Sequence, residues 1–231
     1  NIKLEDPQKN PISLKADYIR ARLLHDHGGL WLDMDCIAFN NFDHEITNFL
    51  KKYDFVCMQK NSKSPPYVTN NFMASVKRGV IIKSYLEKMT QKIKRKLSEG
   101  EPFSWSEIGS SMLTPIVNAN INNGVLLLPE LQIHPFDFEE AKLLEVEKSS
   151  EERVGLLENK INQDTKCVML YNALHSNDFK SLNHNQVFES NCLISDFIKY
   201  SLGYDSIAQR QKIQALLGLE KNKTEEMICD I

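Results

Sequence analysis

The stretch ADYIRARLLHDHGGLWLDMD, residues 16–35, decides the fold because two glycines join a helix pattern to a strand pattern. Apolar residues recur at helical spacing over residues 14–27. Gly28 and Gly29 predict the end of this helix, since glycine tolerates the left-handed backbone that often follows one. The apolar run over residues 30–39 then predicts a buried strand that two acidic residues interrupt.

These acidic residues, Asp33 and Asp35, are the strongest functional signal in the sequence. Side chains two residues apart on a strand point to the same side, so both carboxylates are expected to converge. Convergent carboxylates suit a hard divalent cation that keeps coordination positions open for phosphate oxygens. Two like charges at the end of an apolar strand are costly unless a cation or hydrogen-bond donors compensate them. The pair therefore predicts a metal site, and a turn with two solvated acids is the alternative.

The preceding helix adds a second charged pair, Asp17 and Arg20, three residues apart and hence on one helical face. An arginine beside a carboxylate forms a structural ion pair, or it holds a phosphate or sugar hydroxyl through its two-pronged guanidinium. Because the glycine turn folds the helix back onto the strand, these two residues are expected to lie near Asp33 and Asp35.

Composition limits the class of protein. The 231 residues are 42% hydrophobic and 26% charged, which is ordinary for a globular chain and excludes collagen, coiled coils and wholesale disorder. The net charge of −3 argues against a nucleic-acid partner. Five scattered cysteines without a C-x-x-C pair argue against a zinc site or a disulfide scaffold and favour a reducing compartment.

Strand and helix patterns alternate along the rest of the chain, which predicts an α/β fold. We expect one main domain over residues 1–190 and a helical C-terminal extension over residues 191–231. The predicted strands are 55–58, 70–75, 125–128 and 167–171, and the predicted helices are 43–51, 80–97, 105–118 and much of 192–229.

Residues 15–35 resemble the DXD-motif glycosyltransferases: glycosyltransferase family 32, the related capsular polysaccharide synthesis proteins and, more distantly, the clostridial glucosylating toxins. Their shared string is roughly S-D-x-x-R-x-x-x-L-x-x-x-G-G-x-[YW]-x-D-x-D, and the chain matches its spacing, with Ala16 in place of the serine. Weaker resemblance continues at residues 70–75 and 105–114, and most of residues 14–175 is covered. The C-terminal stretch carries no resemblance.

The resemblance implies a GT-A-like, Rossmann-type fold, a nucleotide-sugar donor (a UDP-sugar foremost), Mn²⁺ or Mg²⁺ as cofactor, and transfer with retention of anomeric configuration. It implies that Asp35 binds the metal, that Asp33 binds the metal or the donor ribose, and that Asp17 and Arg20 contact the transferred sugar. Further substrate-binding residues implied by the resemblance are Gly29, Trp31, Asn70, Asn71 and Glu107. Core packing is the favoured alternative for Trp31. The alternative for Asn70 and Asn71 is a turn, and that for Glu107 is the start of a helix.

Two departures from the family pattern change these expectations. Members usually carry a strand–helix unit before the motif that holds the nucleotide base, whereas only 32 residues without a clear strand precede Asp33. The nucleotide-binding unit is therefore expected to be incomplete. A late histidine often completes the metal site, but Met169 stands at its position. His175, six residues later, is the candidate third metal ligand, with a surface-loop histidine as its alternative.

Four functions follow from these observations. The first is a glycosyltransferase of surface or capsular polysaccharide synthesis that acts on a glycan or lipid-linked acceptor. The second is a toxin or effector enzyme that glycosylates a protein. The third is a haloacid-dehalogenase-type phosphatase, which shares D-x-D but needs a later acidic pair that the sequence lacks. The fourth is a non-catalytic binding domain with the same fold.

The sequence also suggests where the protein works. No apolar run approaches the ~20 residues of a membrane helix, which favours the cytoplasm, at or near the inner face of the membrane. Helix 77–97 is a candidate for peripheral contact with an anionic membrane or acceptor, and a solvated face is the favoured alternative. Its basic residues, against the single Glu87, are Lys77, Arg78, Lys83, Lys88, Lys92, Lys94, Arg95 and Lys96.

Overall fold

The structure, a computed structural model, divides the chain into two compact units. The first unit holds residues 1–33 and 42–130, and the second holds residues 34–41 and 131–231. The residues that the structure describes are 12–39, 42–60, 67–202, 213, 215 and 217. The predicted helix 192–229 thus lies largely outside them.

The first unit is built on a mixed four-stranded sheet, whose strands are β1 Gly29–Leu32, β3 Phe55–Lys60, β4 Tyr67–Ser75 and β5 Val125–Leu128. They lie in the order β1-β4-β3-β5. The pairs β1–β4 and β4–β3 are antiparallel, whereas β3–β5 is parallel. The predicted α/β class is confirmed, and the sheet is compatible with a Rossmann-like arrangement.

Helices α1 Ile12–His27, α2 Asp43–Leu50, α3 Val80–Glu99 and α4 Ser110–Asn118 belong to the same unit. The apolar face of α3 is fully buried at Tyr85, Met89 and Ile93, which explains why this amphipathic helix forms where the sequence predicts it. Its first turn is capped from a distance by Asp54, whose carboxylate accepts the Val80 and Ile81 N–H groups at 3.0 Å.

The second unit pairs two short antiparallel strands, β2 Cys36–Ala38 and β6 Cys167–Met169. Its core is aromatic and aliphatic, with Phe136, Leu157 and Phe197 fully buried. The helical segments from the end of β5 onward are α5 Glu130–Ile133, α6 Ser150–Lys160, α7 Asn177–Ser181, α8 His184–Glu189, α9 Leu193–Ser201 and the 3₁₀ turns Ala141–Leu144 and Asn172–Leu174.

The predicted single strand over residues 30–39 is wrong in one respect, because the chain forms two strands there. Asp33 follows β1, Met34 and Asp35 form a turn, and β2 begins at Cys36. Same-side alternation therefore does not apply to the two aspartates. Strand β1 is also a half-buried edge strand rather than a buried one, since it lies at the end of its sheet.

Two other element boundaries differ from expectation. The helix predicted over 105–118 begins only at Ser110, because the turn before it holds Ser106 at a left-handed φ of 60°. Strand β6 ends at Met169 because the backbone turns left-handed at Tyr171 (φ 53°). The division expected between residues 190 and 191 stays a prediction, and α9 contributes Leu193, Ile194 and Phe197 to the core of the second unit.

Candidate active site

The end of β1 is held in place by the glycine turn before it and by β4 beside it. Gly28 has φ 74°, and a Cβ there would lie 2.7 Å from the Lys77 backbone nitrogen, so only glycine fits. Strand β1 then pairs with β4 in register, and the Asp33 N–H donates to the Asn71 carbonyl at 3.0 Å. Asp33 is thereby fixed beside the middle of β4.

Arg20 is the centre of the charged cluster and is only 7% exposed. Its Nη1 donates to the Asn70 carbonyl at 2.6 Å and lies 3.0 Å from Asp33 Oδ1. Its Nη2 lies 3.6 Å from Asp17 Oδ1. One buried cation is therefore shared between two carboxylates, and the structure brings Asp17, Arg20 and Asp33 together as the sequence predicts.

Trp31 belongs to this cluster as well as to the core. Its Nε1–H donates to Asp33 Oδ1 at 2.8 Å, and the Arg20 guanidinium lies 5.3 Å from its ring centroid. It also packs against the hydrophobic core of the first unit. Asp33 Oδ1 therefore receives two donors, which fix the carboxylate's orientation.

Asn70 lies inside β4, not in a turn, and joins the cluster to α4. Its Nδ2 donates to Asp17 Oδ1 at 2.6 Å, and its Oδ1 accepts from Ser110 Oγ at 3.0 Å. Asn71 has a different role: its side-chain oxygen accepts from Thr69 Oγ1 at 2.6 Å, and its carbonyl holds Asp33. The two weaker stretches of family resemblance thus meet at Asn70 and Ser110.

Two residues of this site, Gly109 and Ser110, were not predicted as site residues. A Cβ on Gly109 would lie 2.8 Å from Asp17 Oδ2 and 3.1 Å from Asn70 Nδ2, so the close approach of the carboxylate requires glycine. Both residues open the GSSMLT segment, 109–114, whose resemblance to the family's G-P-x-x-L-T was the available signal.

The surroundings of the Asp17 carboxyl group shift its pKa in opposing directions. Burial raises its pKa, Arg20 and the Asn70 hydrogen bond lower it, and the nearby Asp33 raises it again; the net pKa is above the ordinary 3.8. The ion pair therefore does not fully offset the desolvation of the carboxylate. A further hydrogen-bond donor beside Asp17 would stabilise its charged form and lower its pKa.

Glu107 is held by two lysines of α3 in the same unit. Its Oε2 lies 2.6 Å from Lys96 Nζ, and its Oε1 lies 2.9 Å from Lys92 Nζ. Burial alone would raise its pKa, but hydrogen bonds from Lys96, the Ser104 N–H and Lys92 outweigh burial and lower the pKa to about 2. Glu107 thus fixes the turn before α4, and its predicted contact with substrate stays a prediction.

Asp35 lies in the second unit, where backbone donors hold it. Its Oδ2 accepts the Asn172 N–H at 3.0 Å, and its carbonyl accepts the Leu170 N–H at 2.8 Å. Its Oδ1 has no hydrogen-bond partner within the described residues. Gly29, the first residue of β1, is exposed and has a φ of 96°, which favours glycine; its predicted contact with substrate stays a prediction.

His175 is buried beside Glu145, with its Nδ1 3.4 Å from the Glu145 Oε2. Neither ring nitrogen makes a hydrogen bond within the described part of the chain. Over residues 12–39, 42–60 and 67–202, no three His, Cys, Asp or Glu side chains lie close enough to hold a metal ion. The assignment of Asp33, Asp35 and His175 as metal ligands stays a prediction.

The basic helix α3 is more balanced than its sequence suggests. Ion pairs connect Lys83 to Glu87 and Arg95 to Glu99 and Glu101, besides the two lysines on Glu107. Half of the eight basic residues thus have acidic partners, and contact of this helix with an anionic surface stays a prediction. Among the described residues, no helix combines the length and apolar character that crossing a bilayer requires.

Comparison with known proteins gives one match. The model of a family described as capsular polysaccharide synthesis protein matches residues 6–98, which include the Asp17–Arg20–Asp33 cluster, Asp35 and Asn70. Neither the curated proteins nor the solved structures contain a significant match. The match supports the capsular polysaccharide part of the resemblance.

Proposed function

We propose that the chain is a metal-dependent glycosyltransferase of capsular polysaccharide synthesis, which moves a sugar from a nucleoside-diphosphate sugar to a saccharide acceptor. The observation that carries the proposal is the buried Arg20 shared between Asp17 and Asp33, inside the stretch that matches the capsular family model. The family match and the arrangement of charges support the same reaction class.

The two carboxylates of the cluster are more exposed than its arginine. The Asp33 side chain is 28% exposed and that of Asp17 is 13% exposed, whereas Arg20 lies beneath them at 8%. Carboxylates that an arginine and a tryptophan hold in place bind the hydroxyl groups of a ribose or hexose. Arg20 is therefore proposed as a positioning residue that orients both carboxylates, rather than as a direct contact of the sugar.

The proposed transfer requires no covalent bond between the sugar and a protein side chain. The bond between the anomeric carbon and the diphosphate oxygen breaks, and its electron pair leaves with the nucleoside diphosphate. The acceptor hydroxyl oxygen forms the new bond on the same face, and its proton passes to the departing phosphate. We propose this front-face course, with retention, because no described side chain stands out as a nucleophile.

A divalent cation, Mn²⁺ or Mg²⁺, would be held by Asp35. Asp33, two residues earlier in the sequence, would bind the cation or the donor ribose. The Asp35 carboxylate fits the role because one oxygen is anchored by the Asn172 N–H while Oδ1 has no partner among the described residues. When bound, the cation would neutralise charge that develops on the diphosphate.

Nucleotide release from a panel of UDP- and GDP-sugars tests the proposal. We expect release with Mn²⁺, loss of release with EDTA, and at least a 100-fold loss in Asp35→Ala. Asp164→Ala, at an exposed turn of the same unit, is the matched control and should retain the wild-type rate. Absence of both release and nucleotide-sugar binding would refute the proposal, and release of phosphate from simple phosphomonoesters would favour a phosphatase.

A further inference from the structure

A cavity of about 150 Å³ opens beside Asp17 in the first unit. It lies between the start of α1, at Ser13 and Leu14, and the turn over residues 103–108. Pockets that enclose drug-sized ligands are roughly 300–1,000 Å³, so this cavity is too small for a nucleotide sugar and suits a single six-membered ring. The polar groups at its wall come from the carboxylates of Asp17 and Glu107 and from the hydroxyl groups of Ser13 and the serines of the turn.

Trp105 stands at this cavity with 87% of its surface exposed. An indole ring has a wide apolar face and one polar N–H, which suits a partner with an apolar face and a polar edge. Phe103 lines the same cavity, and Lys96 Nζ lies 5.3 Å from its ring centroid. Two aromatic rings and two carboxylates, those of Asp17 and Glu107, therefore border one small cavity.

The turn that presents Trp105 is fixed rather than loose. Ser106 adopts a left-handed φ of 60°, a conformation unusual for residues other than glycine, and its Oγ lies 2.6 Å from Ser111 Oγ. Glu107, the residue after Ser106, forms ion pairs with Lys92 and Lys96 of α3, which hold the turn against that helix. Strained backbone that its surroundings hold in place is concentrated at binding sites, and a turn held in this way presents Trp105 without having to order its backbone when a ligand binds.

We propose that this cavity binds the terminal pyranose ring of the saccharide acceptor, with the apolar face of the ring against Trp105. The assignment of the ring to the acceptor rests on the proposed function. Asp17 belongs both to the Arg20 cluster and to the cavity wall, so it lies where the donor sugar and the acceptor ring must meet. The hydroxyls of the ring are hydrogen-bonded by Asp17 and by Ser104 or Ser106.

The two tryptophans of the chain allow a direct test. Trp31 lies in the Arg20 cluster, where the donor sugar is proposed to bind, and Trp105 lies at the proposed acceptor cavity. The full chain is labelled with 5-fluorotryptophan, and the two ¹⁹F resonances are assigned with Trp105→Phe. Methyl α- and β-glucosides, galactosides and mannosides are titrated first, followed by UDP- and GDP-sugars. We expect at least one methyl glycoside to shift the Trp105 resonance saturably and leave Trp31 unmoved, while the cognate nucleotide sugar shifts Trp31.

Controls separate stacking from adventitious binding. Sorbitol, a polyol without a ring face, should give no saturable shift. Saturation-transfer difference spectra of the bound glycoside should show about a tenfold weaker Kd in Trp105→Ala, and an unchanged Kd in Phe138→Ala, a half-exposed aromatic of the other unit.

The outcomes distinguish this inference from the proposed function. A Trp105 resonance that no glycoside moves, or that sorbitol moves equally, overturns the acceptor cavity even if nucleotide sugars still bind. A saturable glycoside shift at Trp105 without any nucleotide-sugar binding supports a saccharide site and refutes the transferase.

Discussion

Each unit of the molecule buries an arginine against aspartate, but the two arrangements differ in charge balance. In the second unit, Arg153 Nε lies 2.8 Å from Asp196 Oδ2, and Arg153 Nη1 donates to the backbone carbonyls of Lys148 and Asn191. In the first unit, Arg20 is shared between Asp17 and Asp33. The Arg153–Asp196 pair of the second unit is balanced in charge and closed to solvent, whereas the Arg20 cluster of the first unit has one negative charge more than positive.

The aspartates of the two units also differ in how far solvent reaches them. The Asp196 side chain is 3% exposed, but that of Asp33 is 28% exposed. Burial raises the pKa of Asp196 and of Asp17 alike, since Arg153 and Arg20 only partly offset it. A closed, balanced pair contributes only to folding, whereas an open cluster with excess negative charge can bind hydroxyl groups or a cation.

The largest effect is expected from Arg153→Met. Removal of one partner leaves Asp196 buried without its cation, which costs about 3–5 kcal/mol in the free energy of unfolding. Chemical denaturation followed by circular dichroism measures it. Arg22→Met, at an exposed pair with Asp26, is the control and should change stability little. A loss no greater than that of the control would show that the Arg153–Asp196 pair is not structural.

Arg20→Lys should affect the proposed reaction more than the fold. Lysine keeps the charge but cannot reach Asp17, Asp33 and the Asn70 carbonyl at once, so both carboxylates lose their orientation. We expect a fall of about 100-fold in kcat/KM for nucleotide release. An effect on KM and kcat together, with retained circular dichroism, fits a positioning role. Wild-type kinetics in this variant would contradict it.

A pair of glycine substitutions compares the two units at equal chemical change. Gly109→Ala places a Cβ 2.8 Å from Asp17 Oδ2 and should lower nucleotide release about tenfold by displacing the carboxylate. Gly155→Ala, in α6 of the second unit, meets nothing within 4 Å and should stabilise the helix by about 0.5–1 kcal/mol. Equal rates in the two variants would show that the Asp17 position is not critical.

The smallest effect concerns the turn that Glu107 fixes. Its pKa is about 2 in the folded protein against an ordinary 4.5, so its contribution to stability is complete above pH 4.5 and is lost as the pH falls toward about 2. Glu107→Gln should cost about 1 kcal/mol at pH 7 and flatten the acid limb of the stability curve. An unchanged acid limb would show that the two lysines do not stabilise the carboxylate.

The sequence predicted the parts of the site that lie close together along the chain. Spacing alone placed Asp17 and Arg20 on one helical face, and the glycine turn brought them to Asp33. It did not predict Asn70, Ser110 and Gly109 as supports of Asp17, because pairing of β4 with α4 joins residues about 40 positions apart. The break in the strand at residues 33–35 was also missed, since an apolar run does not indicate which sheet each half joins.

The most direct test of the account compares two isosteric changes, one at each buried arginine: Asp33→Asn and Asp196→Asn. Nucleotide release from the cognate sugar donor is measured per folded molecule, with folding followed by circular dichroism. We expect a loss of about 100-fold for Asp33→Asn and the wild-type rate for Asp196→Asn. Equal rates in both variants would contradict the claim that the Arg20 cluster of the first unit binds the nucleotide-sugar donor.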